Sequence, residues 1–221
     1  MPHFDKDFLK FFRELEKNNS KDWFDENRKR YETVVRDPWK AYIKTLAVDL
    51  QKLYPGKDLE GNVQVSRINR DIRFSRDKTP YKDHVGAMIM PNGRADKGRP
   101  GFYIQANQHD VRVYSGAYKI EKERLSDIRY HIAENMGCFK KIIGAKEFVD
   151  TFGEIRGEKN KRLPKELQDA ADKQPLIYNK SFYWFFKLDP KTIMSDSLTK
   201  ELVTTFKKSM PLNKFFEEAI G

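Results

Sequence analysis

Arginine recurs every third residue at Arg67, Arg70, Arg73 and Arg76, inside the stretch RINRDIRFSRDKTPYK that ends at Lys82. With Lys78 and Lys82 it sets six cations against Asp71 and Asp77, and no other stretch of the chain is so patterned. Guanidinium groups take oxyanions through a planar fork of N–H donors, and lysine adds a point charge. The chemistry on offer is capture of an anion. Arg67, Arg70, Arg73, Lys78 and Lys82 would form the clamp, Asp71 would orient one guanidinium, and Tyr81 would donate its hydroxyl. His84 is the group best suited to move a proton, because cationic neighbours depress the pKa of Asp71 and Asp77 and weaken them as bases. The same residues also have a purely architectural reading. In it Arg70, Arg73 and Asp71 form a buried ion-pair network that fixes the loop, with Phe74 and Tyr81 as its apolar anchors.

The path of the backbone decides how many of these groups meet. A step of three advances about 300° in an α-helix and would spread the four arginines over half a cylinder, whereas a strand would alternate them between faces. Thr79 precedes Pro80 and is biased to extended conformations, and Ser75-Arg76-Asp77 has turn character. The expected path is a strand end followed by an irregular excursion that directs some of the arginines to one pocket.

Elsewhere the chemistry-bearing residues are sparse. His3, His84, His109 and His131 are not spaced as metal ligands, and the single Cys138 cannot support a thiolate cluster, so no metal and no cofactor is expected. Neither a phosphate-cradling glycine loop nor a serine nucleophile elbow is present. Cys138, in an apolar pattern, reads as a small core residue. RPGFYIQA, Arg99 to Ala106, is a poor match to the aromatic strand of an RNA-recognition domain, since Pro100 intrudes and a second stacking ring is missing.

The elements that must carry the stretch follow from periodicity. Phe8, Leu9, Phe11, Phe12 and Leu15 predict a helix over about Asp5–Lys17; Ser20 caps a second helix with Trp23, Phe24, Asn27 and Tyr31 inward. Asp37-Pro38 starts a third, which carries Trp39, Tyr42, Ile43, Leu46 and Leu50 and stops at Pro55-Gly56. Alternation then predicts strands at Val63–Val65, Val85–Ile89, Phe102–Ala106 and Val111–Val113, with a basic loop over Pro91–Gly101. Helical spacing returns from Lys119 to Phe148, and a short helix is expected near Lys165–Ala171. Phe182-Tyr183-Trp184-Phe185-Phe186 reads as a strand covered on both sides. Ser195 caps a last helical region that Pro211 divides in two.

With 221 residues, 38% hydrophobic and 13% aromatic, the chain can bury a sizeable core, and it carries no repeat or linker. One α+β domain over residues 1–221 is expected: a central, mostly antiparallel sheet packed by N-terminal and C-terminal helices. The formal charge of +10 favours anionic partners, a phosphate-bearing small molecule or nucleic acid. No apolar run approaches the roughly 20 residues of a membrane span, no signal peptide opens the chain, and one cysteine suits a reducing, cytoplasmic setting.

R-x-x-R-D-x-R-F-x-x-D-K-x-x-Y, present as Arg67, Arg70, Asp71, Arg73, Phe74, Asp77, Lys78 and Tyr81, resembles the signature of the bacterial domain of unknown function family 2461. The resemblance extends to Asn18-Asn19, Trp23-Phe24, Asn27 and Tyr31, and to Gly116, Leu125 and Arg129, so it covers most of the chain. It implies no activity, cofactor or catalytic residue. From the residues themselves the expected function is anion binding by the Arg67–Lys82 segment. Two alternatives are a hydrolase or phosphoryl-transfer enzyme in which the cations stabilise charge, and a basic interaction module in which the Arg/Asp motif is structural.

Overall fold

The computed structural model describes residues 3–93, 95, 96 and 98–221; Arg94 and Lys97 of the expected basic loop lie outside the described residues. Helix α1, Lys6–Lys17, begins where the Asp5 side chain accepts from the backbone N–H groups of Asp7 and Phe8. Its apolar face buries Phe8, Leu9, Phe11, Phe12 and Leu15. Ser20 caps α2, Lys21–Arg30, by accepting from the Trp23 N–H.

The expected break before Pro38 does not occur. The chain passes from α2 through a π-helical turn, Tyr31–Arg36, directly into α3, Asp37–Leu50. Two causes converge here. Proline has no N–H to close an α-type bond, so widening the turn before it leaves fewer groups unpaired. The buried Tyr31, Val35 and Trp39 are also spaced by four, a row that drifts by about 40° per step on a 3.6-residue helix and stays aligned only if the turn is wider. The Asp37 N–H accordingly bonds to the Glu32 carbonyl, five residues back.

Five strands follow, β1 (Val63–Val65), β2 (Val85–Ile89), β3 (Gly101–Ala106), β4 (Val111–Ala117) and β5 (Phe182–Leu188). They form one antiparallel sheet in sequence order. In β1 and β2, Val63 lies opposite Ile89 and Val65 opposite Ala87. The remaining helices are α4 (Lys122–Glu134), α5 (Met136–Ile143), α6 (Lys146–Phe152), α7 (Gln168–Lys173) and α8 (Leu198–Ile220), and the fold is α+β.

Packing divides the chain into two compact units. The first takes the chain through Ile89 with Tyr103–Val113 and Lys187–Val203. Its core is aromatic: Phe4, Phe8, Phe12, Trp39 and Tyr42 are buried, and the Phe4 and Phe8 rings meet edge to face at 4.9 Å. The second takes Met90–Phe102, Tyr114–Phe186 and Thr204–Gly221. Leu125, Ile128 and Ile132 of α4 are buried there with Phe139, Trp184, Phe215 and Phe216.

Three expectations are corrected. Strand β5 is not covered on both sides: Phe182 and Trp184 are buried while Tyr183 and Phe185 are half-buried, the alternation of a sheet with one packed face. Pro211 does not divide the last helix, which runs unbroken through it. A proline there costs about 3 kcal/mol, and the burial of Phe206, Leu212, Phe215 and Phe216 on the helix outweighs that local penalty. Cys138 is exposed, not in the core. Among the described residues no helix is long and apolar enough to cross a membrane.

Candidate functional site

Beyond β1 and β2 the two strands continue as a looser ribbon. The Ser66 N–H bonds to the Gly86 carbonyl at 2.8 Å, the Lys82 N–H to Ile68 at 2.8 Å and the Arg70 N–H to Pro80 at 2.9 Å. Asn69 lies opposite Tyr81, and residues 70–80 form the loop that this pair closes. Val65 pairs with Ala87 and Asn69 with Tyr81, so the second strand spends two more residues than the first over the same span. Asp83 and His84, both in bends, take up the excess as a bulge, a device that re-aims side chains.

The base of the loop is tied to the connection between α1 and α2. Asn69 and Tyr81 are a non-hydrogen-bonded pair, so the Tyr81 N–H and carbonyl face away from Asn69. The Asn19 side chain meets both, accepting from the Tyr81 N–H at 3.1 Å and donating to its carbonyl at 2.9 Å. Its carboxamide acts as a short stand-in for a neighbouring strand. The Tyr81 ring stacks on Phe24 of α2 at 4.0 Å, and the Arg28 guanidinium covers Phe24 at 5.3 Å. Burial raises the Tyr81 phenol pKa, Asp25 adds to the rise, and Arg28 opposes it.

The cations of the stretch fall into two groups. Arg70 is held by Asp77 at 2.5 Å and by the Thr79 hydroxyl. Arg73 forms a two-pronged pair with Asp71, at 2.9 and 2.7 Å, and both side chains stand well into solvent. The buried network expected of Arg70, Arg73 and Asp71 is therefore absent: Arg70 turns to Asp77, and the Arg73 pair is exposed. Phe74 is no anchor either, being 95% exposed at the loop tip, whereas Tyr81 is buried. Lys78 donates to the Ile72 carbonyl at 3.0 Å. Asp77 accepts from the Thr79 N–H, from Arg70 and from the Thr79 hydroxyl, which pull its carboxyl down to about 2.

Arg67 and Lys82 differ from these. They come together across the ribbon, the Lys82 ammonium donating to the Arg67 carbonyl at 2.9 Å. Among the described residues neither has a carboxylate at ion-pair distance, although the Arg67 charge adds to the Arg73 hydrogen bonds in lowering the Asp71 pKa. Lys82 is partly buried, and that burial, with the Arg67 charge beside it, lowers its pKa.

The bulge gives His84 two partners. Its Nδ1 lies 2.7 Å from the Asp83 carboxylate and its Nε2 3.2 Å from the Tyr103 hydroxyl on β3. The His84 hydrogen bond is the main cause of the lowered Asp83 pKa. Tyr103 reaches this position by crossing Gly86: a Cβ there would sit 2.3 Å from its hydroxyl oxygen. A carboxylate on one ring nitrogen and a phenol on the other is the arrangement that fixes an imidazole tautomer and lines up a proton path.

Of the residues expected from the sequence, Arg67 and Lys82 flank the bulge, His84 lies in it and Tyr81 is buried at the base of the loop. Arg70, Asp71, Arg73 and Lys78 instead occupy the 70–80 loop in contacts of their own. Asn19, Asp83, Gly86 and Tyr103 were not singled out for this site. Asn19 was visible only in the Asn18-Asn19 pair of the family resemblance, and Tyr103 and Gly86 only as strand residues; long-range pairing gives their spacing its meaning.

The family described as "Conserved hypothetical protein (DUF2461)" matches residues 7–215, the bulk of the chain and all of the site. No curated protein matches it.

Proposed function

The chain belongs to this DUF2461 family, and from its geometry we propose an anion-binding protein that takes a phosphate-bearing small molecule or nucleic acid at the base of the 70–80 loop. The observation that carries the reading is the Arg67–Lys82 pair: the partly buried Lys82 ammonium is anchored on the Arg67 backbone carbonyl, feels the Arg67 charge, and among the described residues neither side chain has a carboxylate at ion-pair distance. An oxyanion placed there relieves their repulsion, whereas Arg70 and Arg73 are already neutralised by Asp77 and Asp71. The exposed cysteine fits a reducing cytoplasm as the setting.

Titration with pyrophosphate and with a labelled single-stranded oligonucleotide tests this. The Arg67→Ala/Lys82→Ala variant should lose at least about tenfold in affinity, near 1.4 kcal/mol, with little change in melting temperature. Arg73→Ala should bind like the parent. Loss of binding in Arg73→Ala alone would move the site to the loop tip and overturn the assignment.

The Asp83–His84–Tyr103 chain favours a second reading, a hydrolase or phosphoryl-transfer enzyme in which His84 moves the proton and Arg67 and Lys82 stabilise the developing charge. Hydrolysis of a chromogenic phosphate ester that vanishes in both His84→Gln and Tyr103→Phe supports it; activity that survives both excludes it.

A further inference from the structure

Arg129 lies in α4 of the second unit and is only 7% exposed. The residues around it on the helix, Leu125, Ile128 and Ile132, belong to the apolar core. Among the described residues one of its five N–H donors is used: Nη2 donates to the Asn179 carbonyl at 3.0 Å. Its Nε is buried with no partner. Among the described residues burial is the cause of its lowered pKa, and no carboxylate opposes it.

The residue it touches is equally unsettled. Asn179 is 1% exposed, and its Oδ1 is buried without a partner. The backbone here is drawn tight. Lys159 pairs with Asn179, the Lys180 N–H bonds to the Glu158 carbonyl at 2.7 Å, and the Asn160 N–H bonds to Tyr178 at 2.7 Å. A Cβ at Gly157 would lie 1.9 Å from the Ser181 carbonyl and 2.9 Å from the Asn179 amide nitrogen, so only glycine allows the approach. The site is held rigidly on one side by this ribbon and on the other by α4.

We propose that Arg129 is a binding site for one oxyanion group of a small ligand, a carboxylate or a phosphate, taken edge-on by the guanidinium. An architectural arginine buried in a core has a carboxylate or several carbonyls to balance its charge, since an uncompensated ion is strongly destabilising there. Arg129 has one carbonyl. The guanidinium fork fits two oxygens of one anion, and that anion supplies the missing charge. The site is independent of Arg67 and Lys82.

The test is thermal denaturation of the whole chain carrying Arg67→Ala/Lys82→Ala, so that the loop site is silent, with inorganic phosphate or acetate titrated at constant ionic strength against chloride. The parent of this series should show a saturable rise in Tm. Response to phosphate alone assigns a phosphate ester as the ligand group, and response to both anions admits a carboxylate. Arg129→Met should abolish the response and, without added anion, melt no lower than the parent, because it removes an unbalanced buried charge while filling the same space. A response that survives Arg129→Met, or its absence in the parent with both anions, overturns the proposal. So does an Arg129→Met chain that folds but melts lower in chloride, the mark of a cap on the Pro175–Tyr178 turn. If Arg129→Met does not fold, the Arg129 Nε–H resonance of the parent decides: a saturable shift with phosphate or acetate supports the site, and an unmoved resonance refutes it.

Discussion

Replacing Asn19 by alanine isolates the tie between the helical connection and the loop. The side chain makes two hydrogen bonds to one residue, at 2.9 and 3.1 Å, and among the described residues no strand serves that edge of Tyr81. Each bond contributes about 0.5–1.5 kcal/mol net, and the partly buried Tyr81 N–H and carbonyl lose their partner together, so the total is about 2 kcal/mol. For a chain of this size that lowers Tm by about 4–8 °C. Asn19→Asp sharpens the argument, because it keeps the acceptor for the Tyr81 N–H but turns a carboxylate oxygen toward the Tyr81 carbonyl. At neutral pH it should be at least as destabilising as alanine, and it should recover as the carboxyl protonates, when an O–H can donate where the amide did. Thermal melts at pH 7 and pH 4, with hydrogen exchange at the Tyr81 amide, read both effects. An Asn19→Ala chain that melts with the parent and keeps that amide protected would refute the clamp; an Asn19→Asp chain more stable than alanine at pH 7 would refute the donor and acceptor roles.

Gly116 has φ near +119°, and a Cβ on it would lie 2.1 Å from the Phe182 carbonyl oxygen and 2.9 Å from the Tyr183 Cα. Gly116→Ala therefore combines about 1–3 kcal/mol of backbone strain with at least one lost ladder bond of about 1 kcal/mol, and Tm should fall by about 4–16 °C; a fall of under about 2 °C would contradict the close approach of β4 and β5. Asp77 has a folded pKa near 2, below its ordinary 3.8, so its stabilisation of the loop is complete above about pH 4 and is lost as the pH falls through 2. The Thr79 amide resonance should titrate near pH 2 in the parent and stay still in Asp77→Asn, and a midpoint near 3.8 would mean that the Thr79 and Arg70 contacts do not form in solution.

Local chemistry was legible in the sequence wherever one element carried its own signal. The face of α1 from Phe8 to Leu15, the Ser20 cap and the positions of the alternating strands stand as read, although β4 runs on from Val113 to Ala117. Helix boundaries at proline were not, because local penalties at Pro38 and Pro211 are smaller than the burial of the residues around them. The arginine stretch was legible as an excursion from a strand end. Its pairing was not, since whether Arg70 meets Asp71 or Asp77 depends on how the loop closes, and closure is set by Asn19, 62 residues away from Tyr81. The orientation of His84 had no local signal. It follows from a two-residue excess between paired positions that only the register reveals.

The widened turn at Tyr31–Arg36 also gives the chain one residue of slack. A π turn holds one residue more than the α-helix that could replace it. Deleting a single exposed residue such as Thr33 would let α2 and α3 fuse as ordinary α-helix, and the lost residue and the lost widening cancel, so every residue from Val35 onward keeps nearly its phase relative to Phe24. Trp39, Tyr42 and Leu46 would then stay in the core together. The same deletion inside α3 has no such compensation and would rotate all that follows by about 100°.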